Sequence, residues 1–333
     1  MVKIILISMI KNEEKIIERC MLSAIPILDA ICVSDTGSTD NTINKVQELT
    51  TNKNIPCKIY NNEWKNFEHN RNLSFINTVE FCKELGWDLN ETYGLLLDAD
   101  MQLVPKNFNK EILINDGYKL IQESTSLEYA NIRIIKLGYK WTCVGVTHEY
   151  WNGPNTDLID KQLIFINDIG DGGSKQDKFD RDIKLLEAGI KNEPTNSRYH
   201  FYLAQSYKNV GRNKDAIDMY QKRMALGGWD QETWYCYYMI ALCWLNLNDE
   251  DNMECWVNKA YKFKKDRLEP IYLLIKYFRE KEQYHKACHY YKIGKTISYP
   301  KNNILFIEKN IYGKLFDYER EFFEKFSLIR RID

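Results

Sequence analysis

The chain lacks an excess of charge of either sign, because its 333 residues include 46 lysines and arginines and 47 aspartates and glutamates. That balance gives no global electrostatic argument for nucleic acid or an anionic membrane as a partner. The chain also lacks any CxxC pair, although it contains nine cysteines. Several lie in apolar runs, where a reduced cysteine packs as a small hydrophobic residue. We therefore predict a reducing, cytoplasmic compartment, with neither a disulfide scaffold nor a zinc site.

Long hydrophobic runs are absent too, and none approaches the roughly 20 residues that a membrane-spanning helix needs. Residues 2–10 are apolar, but a charged segment follows at once and no small-residue cleavage site appears. This pattern predicts a first β-strand and not a leader peptide. What the chain does have is 44% hydrophobic and 13% aromatic residues, which suffices for one large domain or two ordinary ones.

The rest of the chain is organised around residues 93–101. A short apolar run, which predicts a buried strand of a mostly parallel sheet, ends there in Asp98 and Asp100. Ligands of open α/β sheets bind beyond the carboxyl ends of such strands. Two carboxylates at one cleft repel each other unless a cation neutralises them, and hard oxygen ligands favour Mg²⁺ or Mn²⁺. The alternative is a solvated strand-to-turn junction, where aspartate is common.

The first 170 residues alternate between strand and helix patterns, which predicts an α/β sheet built from βαβ units. Asp35 ends the second predicted strand as Asp98 ends a later one. We therefore expect two neighbouring strand ends that form one crevice. A carboxylate there can accept hydrogen bonds from a ribose or a base, and its alternative role is to cap the next helix.

Residues 131–136 predict another strand, in which Arg133 is polar among isoleucines, and residues 140–151 are rich in β-branched and aromatic residues. The latter stretch contains His148 and Glu149. Neighbours on a strand point to opposite faces, but at an irregular strand end both side chains can reach one cleft. His148 is then a candidate metal or diphosphate contact and Glu149 a candidate general base. Taken alone, these two residues favour the alternative of a hydrogen-bonded histidine and a surface glutamate.

A glycine-rich turn at residues 168–175 does not have the spacing of a P-loop and predicts a flexible loop or lid between domains. Beyond it the pattern is helical and repeats. Ala204 and Ala241 lie 37 residues apart, and Ala241 and Ile275 lie 34 apart, which fits tetratricopeptide repeats with small and aromatic core positions. We predict a domain at residues 1–170 and an all-α repeat domain at residues 171–333.

Together, the motifs of the first half resemble the family 2 glycosyltransferases of the GT-A fold, in the branch that carries C-terminal tetratricopeptide repeats. No motif is specific by itself, but five occur in the family's order. They are residues 8–14, residues 33–40, residues 64–67 with 70–72, residues 97–100, and the pair His148-Glu149.

This resemblance implies a Rossmann-like, mostly parallel sheet that binds a nucleotide-diphosphate sugar. It also implies Mn²⁺ or Mg²⁺, with Asp100 as the main ligand and Asp98 and His148 as further contacts. Such enzymes invert the anomeric centre and need one carboxylate base beside the acceptor hydroxyl, for which Glu149 is the candidate. The residues expected to hold the nucleotide are Lys11, Asn12, Glu13, Asp35, Arg71 and Asp98.

Three departures from the family pattern affect these assignments. Thr36 stands where a second aspartate is usual, so part of the nucleoside contact is left open. His148-Glu149 replaces the usual acidic pair, which makes the base less secure than the metal site. The QxxRW element of processive synthases is absent, which indicates transfer of single sugars.

We predict a hexosyl- or N-acetylhexosaminyl-transferase with a UDP-sugar donor and a glycan, protein or lipid-linked acceptor, and without nucleic acid. The repeats would position the acceptor, bind a protein or self-associate. One alternative is a sugar nucleotidyltransferase, which usually has a glycine-rich phosphate loop where residues 11–14 stand. Another is a repeat-based adaptor with an inactive α/β half. Retention of all the acidic and basic site positions speaks against the adaptor.

Overall fold

The computed structural model describes residues 1–124, 128–172 and 178–330, with side chains up to residue 325. The chain forms two compact units, Met1–Lys178 and Phe179–Asp333, and this division lies later than the predicted one after residue 170. The prediction of an α/β part followed by an all-helical part is confirmed. Residues 173–175 of the glycine-rich turn lie outside the described residues.

Eleven strands are formed by the described residues of the first unit, and nine of them make one mixed sheet. Five of its eight pairings are parallel, as predicted for a mostly parallel sheet. The strands are β1 Lys3–Ile10, β2 Ala30–Asp35, β3 Cys57–Asn61, β4 Thr92–Leu96, β5 Met101–Pro105, β6 Gly117–Glu123, β7 Glu128–Lys136, β8 Thr142–Val144, β9 Tyr150–Asn152, β10 Thr156–Leu158 and β11 Ile164–Asp168.

The order of the strands places a topological switch point beside β1. The sheet runs β3-β2-β1-β4-β7-β6-β11-β5, with β10 beside β6, while β8 and β9 pair with each other. From β1 the chain proceeds outward to β2 and β3 and then returns to the other side of β1 as β4. Ligands of α/β sheets bind where the order reverses in this way. The expectation that the strands of Asp35 and Asp98 are neighbours is wrong, because β1 lies between them.

The helices of the first unit cover both faces of the parallel strands. Ile4 and Leu6 of β1 belong to the core on one face, whereas Ile5 and Ile7 belong to the core on the other. This is the alternation expected when side chains point to opposite faces of a strand, and burial on both faces explains the continuous apolar runs. The helices are α1 Ile17–Ala24 and α2 Thr42–Asn52 on one face and α3 Phe67–Glu84 on the other.

The second unit consists of helices that pack in consecutive pairs, as the repeat pattern predicts. The small residues of that pattern, among them Ala204 and Ala241, are fully buried, which lets the helices approach closely. None of the described helices is both long enough and apolar enough to cross a membrane. The helices are α4 Lys178–Asn192, α5 Ser197–Asn209, α6 Asn213–Ala225, α7 Asp230–Asn246, α8 Glu250–Phe263, α9 Glu269–Glu280, α10 Tyr284–Gly294 and α11 Lys314–Arg330.

Candidate active site

The predicted site residues lie in five places of the first unit. Three of them directly follow β1, one is the last residue of β2, two lie in the turn between β4 and β5, and the others come from α3 and from the loop between β8 and β9. In chain order they are Lys11, Asn12 and Glu13, then Asp35, Arg71, Asp98 and Asp100, and finally His148 and Glu149.

Asn12 joins the loops that follow β1 and β2. Its backbone lies in the left-handed region at φ 55°, which asparagine tolerates better than most residues. Its amide N–H donates to Ser38 Oγ at 2.9 Å, and its Oδ1 accepts from the N–H of Thr39 at 2.7 Å. The next N–H, that of Glu13, donates to Thr42 Oγ1 at 2.7 Å. The two loops therefore form one connected wall, on which Lys11 is exposed.

Asp35 is committed to its own turn. The side chain is nearly buried, and its carboxylate accepts from the N–H groups of Gly37 and Ser38 at 3.1 to 3.2 Å and from Ser38 Oγ at 2.6 Å. Gly37 has φ 100°, which favours glycine. Asp35 thus holds the shape of the loop after β2. This role is closer to the alternative of a cap than to that of an acceptor that is open to a ribose or a base.

Arg71 lies near the start of α3 and joins two of the predicted acids. Its Nε donates to Glu149 Oε1 at 2.5 Å, and its Nη2 lies 2.9 Å from Asp98 Oδ1. On the other side of Asp98, Arg133 Nη1 lies 3.4 Å from Oδ2. The four side chains are 10 to 23% exposed, so they are largely shielded but still reachable by a ligand. They form an alternating row in which two arginines stand against two carboxylates.

Burial and pairing act in opposite directions on this row. Burial disfavours the charged form of Arg71, but Asp98 and Glu149 outweigh it and raise the Arg71 pKa. Burial would raise the pKa of Asp98, but Arg71 and Arg133 outweigh it, and the Asp98 pKa is lowered. Asp98 therefore does not depend on a metal ion for charge compensation, because protein cations already supply it.

The helix α3 also positions the segment that contains Glu149. Asn72 exchanges two hydrogen bonds with the backbone of Cys143, at 2.9 and 2.8 Å. Glu68 Oε2 accepts from the N–H of Gly145 at 2.7 Å. Together with the Arg71–Glu149 pair, these bonds attach the loop after β8 to one face of α3.

Residues 140–151 do not form the continuous strand that their composition suggests. They form β8 and β9 with a tight loop at residues 145–149. Gly145 has φ 113°, and a Cβ there would lie 3.3 Å from the Cα of Glu149. His148 has φ 52°, an uncommon conformation for a residue other than glycine. His148 and Glu149 therefore leave the strand geometry, as expected for an irregular strand end.

Asp100 lies against the segment that follows β11. Its backbone carbonyl accepts from the N–H groups of Ile169 at 3.3 Å and Gly170 at 3.4 Å. A Cβ on Gly172 would lie 3.3 Å from Asp100 Oδ2, so glycine permits this close approach. Asp171 lies between Gly170 and Gly172 in the sequence and accepts two hydrogen bonds from Arg19, at 2.9 and 2.7 Å.

A divalent ion in proteins needs several oxygen ligands. Among the described residues, no group of three or more His, Cys, Asp or Glu side chains is placed to hold a metal ion. Each oxygen of Asp98 is paired with an arginine. However, Mg²⁺ is commonly held by one or two carboxylates together with substrate phosphates, and not by a complete protein cage. The residues fit an ion shared between Asp100 and a diphosphate.

Arg133 also belongs to this row of charged side chains, although its role there is not predicted from the sequence. It lies on β7, and its guanidinium reaches across to the end of β4, where it contacts Asp98 and the carbonyl of Leu96 at 3.3 Å. The available signal is one arginine among the isoleucines of a strand. Such a residue must find a partner when buried, but the pattern does not say which one.

The chain is similar to one protein family and to several solved structures. The model of the family described as glycosyl transferase family 2 matches residues 6–113. No curated protein matches the chain in sequence. Among solved structures, two of MamA are 21% and 22% identical, with TM-scores of 0.33 and 0.34; they cover 45% and 47% of this chain and 81% and 92% of their own. A structure described as "YrrB: a TPR protein with an unusual peptide-binding site" is 12% identical, with a TM-score of 0.31, and covers 37% of this chain and 62% of its own.

The matched residues 6–113 begin within β1 and include Asp35, Arg71, Asp98 and Asp100, whereas Arg133 and the β8–β9 loop lie beyond the match. Four of the five motifs quoted from the sequence therefore lie inside the matched segment, and the pair His148-Glu149 lies outside it. Residues 6–113 of the first unit thus match the glycosyl transferase family 2, the family that the motifs resemble.

Proposed function

We propose that the chain is a metal-dependent, inverting glycosyltransferase that moves a single sugar from a nucleotide-diphosphate sugar to an acceptor hydroxyl. The observation that carries the proposal is that Arg71 bonds both Asp98 and Glu149. Asp98 follows β4 at the switch-point edge of the sheet, and Glu149 is the candidate base. The two carboxylates therefore share the guanidinium of Arg71. The family match supports the reaction class.

In this proposal the loops after β1 and β2 bind the nucleoside. Lys11 and Asn12 are exposed on that wall, while Asp35 and Glu13 keep the wall in shape and offer further contacts. Arg71 provides the cation for the diphosphate, because a guanidinium presents paired donors that match phosphate oxygens. Asp98 contacts the ribose or the metal-bound diphosphate.

A divalent ion, Mn²⁺ or Mg²⁺, would neutralise the charge that develops on the departing diphosphate. Asp100 would hold it together with the diphosphate oxygens, with Asp98 and His148 as the further predicted contacts. Both oxygens of Asp98 are already engaged by Arg71 and Arg133, so we assign the metal dependence chiefly to Asp100.

Glu149 acts as the general base on the acceptor hydroxyl. The acceptor oxygen forms a bond to the anomeric carbon as the bond from that carbon to the diphosphate breaks, and the hydroxyl proton passes to Glu149. Arg71 occupies Oε1 of Glu149, so the Arg71–Glu149 pair has to open before that oxygen can take the proton. A bound diphosphate offers Arg71 another anion, which would couple donor binding to release of the base.

A UDP-sugar with a hexosyl or N-acetylhexosaminyl group is the proposed donor, and the acceptor is a glycan, a protein or a lipid-linked molecule. The helical unit would bind the acceptor or a protein partner, or pair with a second copy. Its repeat-like helices also keep open the alternative of an adaptor with an inactive first unit.

The experiment is a donor-turnover assay on the full chain. UDP-, GDP- and CMP-linked sugars are incubated with Mn²⁺ and with excess chelator, and release of nucleotide is measured. We expect slow Mn²⁺-dependent release from at least one donor, since water can replace the acceptor. Absence of both turnover and nucleotide binding would favour the adaptor. Formation of a sugar nucleotide from a nucleoside triphosphate and a sugar phosphate would favour the nucleotidyltransferase.

A further inference from the structure

Arg133 occupies a position that differs from that of the other arginine in the row. Arg71 comes from a helix and contacts both Asp98 and Glu149, whereas Arg133 stands on β7 inside the sheet and is 10% exposed. Arg133 lies at a β-bulge, because the pairing of β7 with β6 passes from Ile134 to Ile132 and skips it, while the next residues, Ile134 and Ile135, also pair with β4. The guanidinium therefore starts from a bulge inside the sheet, and bulges commonly re-aim a side chain.

The polar atoms of Arg133 are held from several sides. Its Nε donates to Gln122 Oε1 at 2.8 Å, and its Nη1 donates to the carbonyl of Leu96 at 3.3 Å. Gln122 is fully buried and is itself held on β6, with its Nε2 donating to Tyr129 Oη at 3.3 Å and to Asp168 Oδ2 at 3.5 Å. A buried amide without partners would be costly, so this chain of bonds fixes the guanidinium in one orientation.

Asp98 sits where the two arginines compete. Arg71 approaches Oδ1 at 2.9 Å, and Arg133 approaches Oδ2 at 3.4 Å. If Arg133 were absent, Asp98 would keep Arg71 as its partner, and the repulsion between the two guanidinium groups would be lost, so Arg71 would be held more firmly at Asp98. Arg71 would then be less available to an incoming diphosphate.

We infer that Arg133 is a positioning residue of the donor site, which fixes Asp98 and thereby leaves Arg71 free to exchange its carboxylate partners for the diphosphate. This inference rests on the proposed function, because it assigns Arg71 to the donor. Arg133 acts through Asp98, which it approaches from β7. The hydrogen bond from Arg133 to Gln122 holds the guanidinium in place. Supporting residues of this kind typically affect ligand affinity about 10- to 100-fold.

The test is nucleotide binding by the full chain, measured by calorimetry with Mn²⁺ and whichever of UDP, GDP, CDP or ADP the wild type binds most tightly. Arg133→Gln should raise the Kd about 10- to 100-fold. Arg133→Lys, which keeps the charge but not the fork, should recover part of that loss. Gln122→Leu, which removes the anchor but keeps the charge, should raise the Kd about 3- to 10-fold.

Lys136→Gln is the matched control, because Lys136 lies on the same strand and its Nζ donates to the carbonyl of Ile114, away from the acids. This control should bind as the wild type does. An unchanged Kd in Arg133→Gln overturns the inference. Should that variant fail to fold, unchanged Kd values in folded Arg133→Lys and Gln122→Leu overturn it equally. If the wild type binds no nucleotide, both the proposed function and this inference fail. If the wild type and the Arg133 variants bind nucleotide equally well, only this inference fails.

Discussion

The two units of the chain each contain buried arginines paired with carboxylates, but the pairs differ in what surrounds them. In the helical unit, Arg267 and Glu269 are fully buried and joined by two hydrogen bonds, at 3.0 and 2.8 Å. In the first unit, the row of Arg71, Arg133, Asp98 and Glu149 remains partly exposed. The same chemical groups therefore form a fully buried ion pair in the helical unit and a partly exposed row at the edge of the sheet in the first unit.

The pair in the helical unit is complete. Arg267 also donates to the carbonyls of Leu305 and Phe306 at 3.1 Å and lies 3.8 Å above the ring of Trp234. Glu269 accepts a further hydrogen bond from Tyr312 at 2.7 Å. This arrangement fixes the connection between α10 and α11 against the start of α9. The guanidinium of Arg267 is fully buried.

The row in the first unit is arranged differently. It lies beyond the ends of parallel strands, its members come from α3, β7 and two loops, and the pairing distances are unequal, from 2.5 to 3.4 Å. An ion pair that a ligand can reach is able to exchange partners, whereas an enclosed one can only break. The difference in exposure, and not the residue types, separates a site from a structural pair.

The largest effect should come from the candidate base. Glu149→Gln keeps a hydrogen-bond acceptor for Arg71 but removes the group that takes the acceptor proton. Sugar transfer should fall about 10²- to 10⁴-fold, while nucleotide affinity stays within about threefold of the wild type. Glu84→Gln on α3, which loses an exposed pair with Lys58, serves as the control. Normal turnover by Glu149→Gln would show that the base is another group.

The closed pair should affect stability and not chemistry. Arg267→Met leaves Glu269 buried without its guanidinium, so the free energy of unfolding of the helical unit should fall by about 3 to 5 kcal/mol, as measured by chemical denaturation. Nucleotide binding by the full chain should be unchanged. Arg212→Gln, which breaks the exposed pair with Asp215, should leave stability unaltered. A weaker nucleotide affinity in folded Arg267→Met would contradict the separation of roles.

The tight loop beside Glu149 should tolerate no side chain at its first residue. Gly145→Ala forces a Cβ into a backbone with φ 113° and to 3.3 Å from the Cα of Glu149. We expect a loss of about 1 to 3 kcal/mol in the free energy of unfolding together with lower transfer activity. Gly86→Ala provides the comparison, because Gly86 has φ 71° and open space around its Cβ. Equal losses of activity in the two variants would contradict a role for the loop in placing Glu149.

The smallest effect concerns pH. The Asp98 pKa is lowered in the folded protein, so the ionised carboxylate stabilises the fold fully above the ordinary pKa of about 4, and this stabilisation is lost as the pH falls through the lowered value. The difference in unfolding free energy between the wild type and Asp98→Asn should therefore shrink as the pH falls into the acid range. Chemical denaturation at several pH values measures it. A difference that does not change with pH would mean that Asp98 is not held by the arginines.

Much of the first unit can be predicted from the sequence because β1, β2 and β4 are buried on both faces. Their apolar runs are continuous, and the acids that follow mark where each run ends. The sheet beyond β4 could not be derived in the same way. Strands β5, β6 and β11 mix polar and apolar residues, and their antiparallel and parallel neighbours are set by long-range pairing.

The site divides along the same line. Asp98, Asp100 and Arg71 are predictable because short motifs carry them. The partnership of Arg133 with Asp98 is not, since it joins residues 35 positions apart in the sequence through the order of the strands. The position of Glu149 likewise depends on the left-handed backbone of Gly145 and His148, which breaks a segment whose composition favours a strand.

The central claim is that the acids at the edge of the sheet bind a nucleotide diphosphate together with a divalent ion. Calorimetric titration of UDP into the full chain, with Mn²⁺ and then with excess chelator, tests it most directly when repeated on Asp100→Ala, with Asp157→Asn as a surface control. We expect UDP to bind in the presence of Mn²⁺, and to bind about 100-fold more weakly or not at all with chelator or in Asp100→Ala. The absence of binding by the wild type, or equal binding by wild type and Asp100→Ala, would contradict the account.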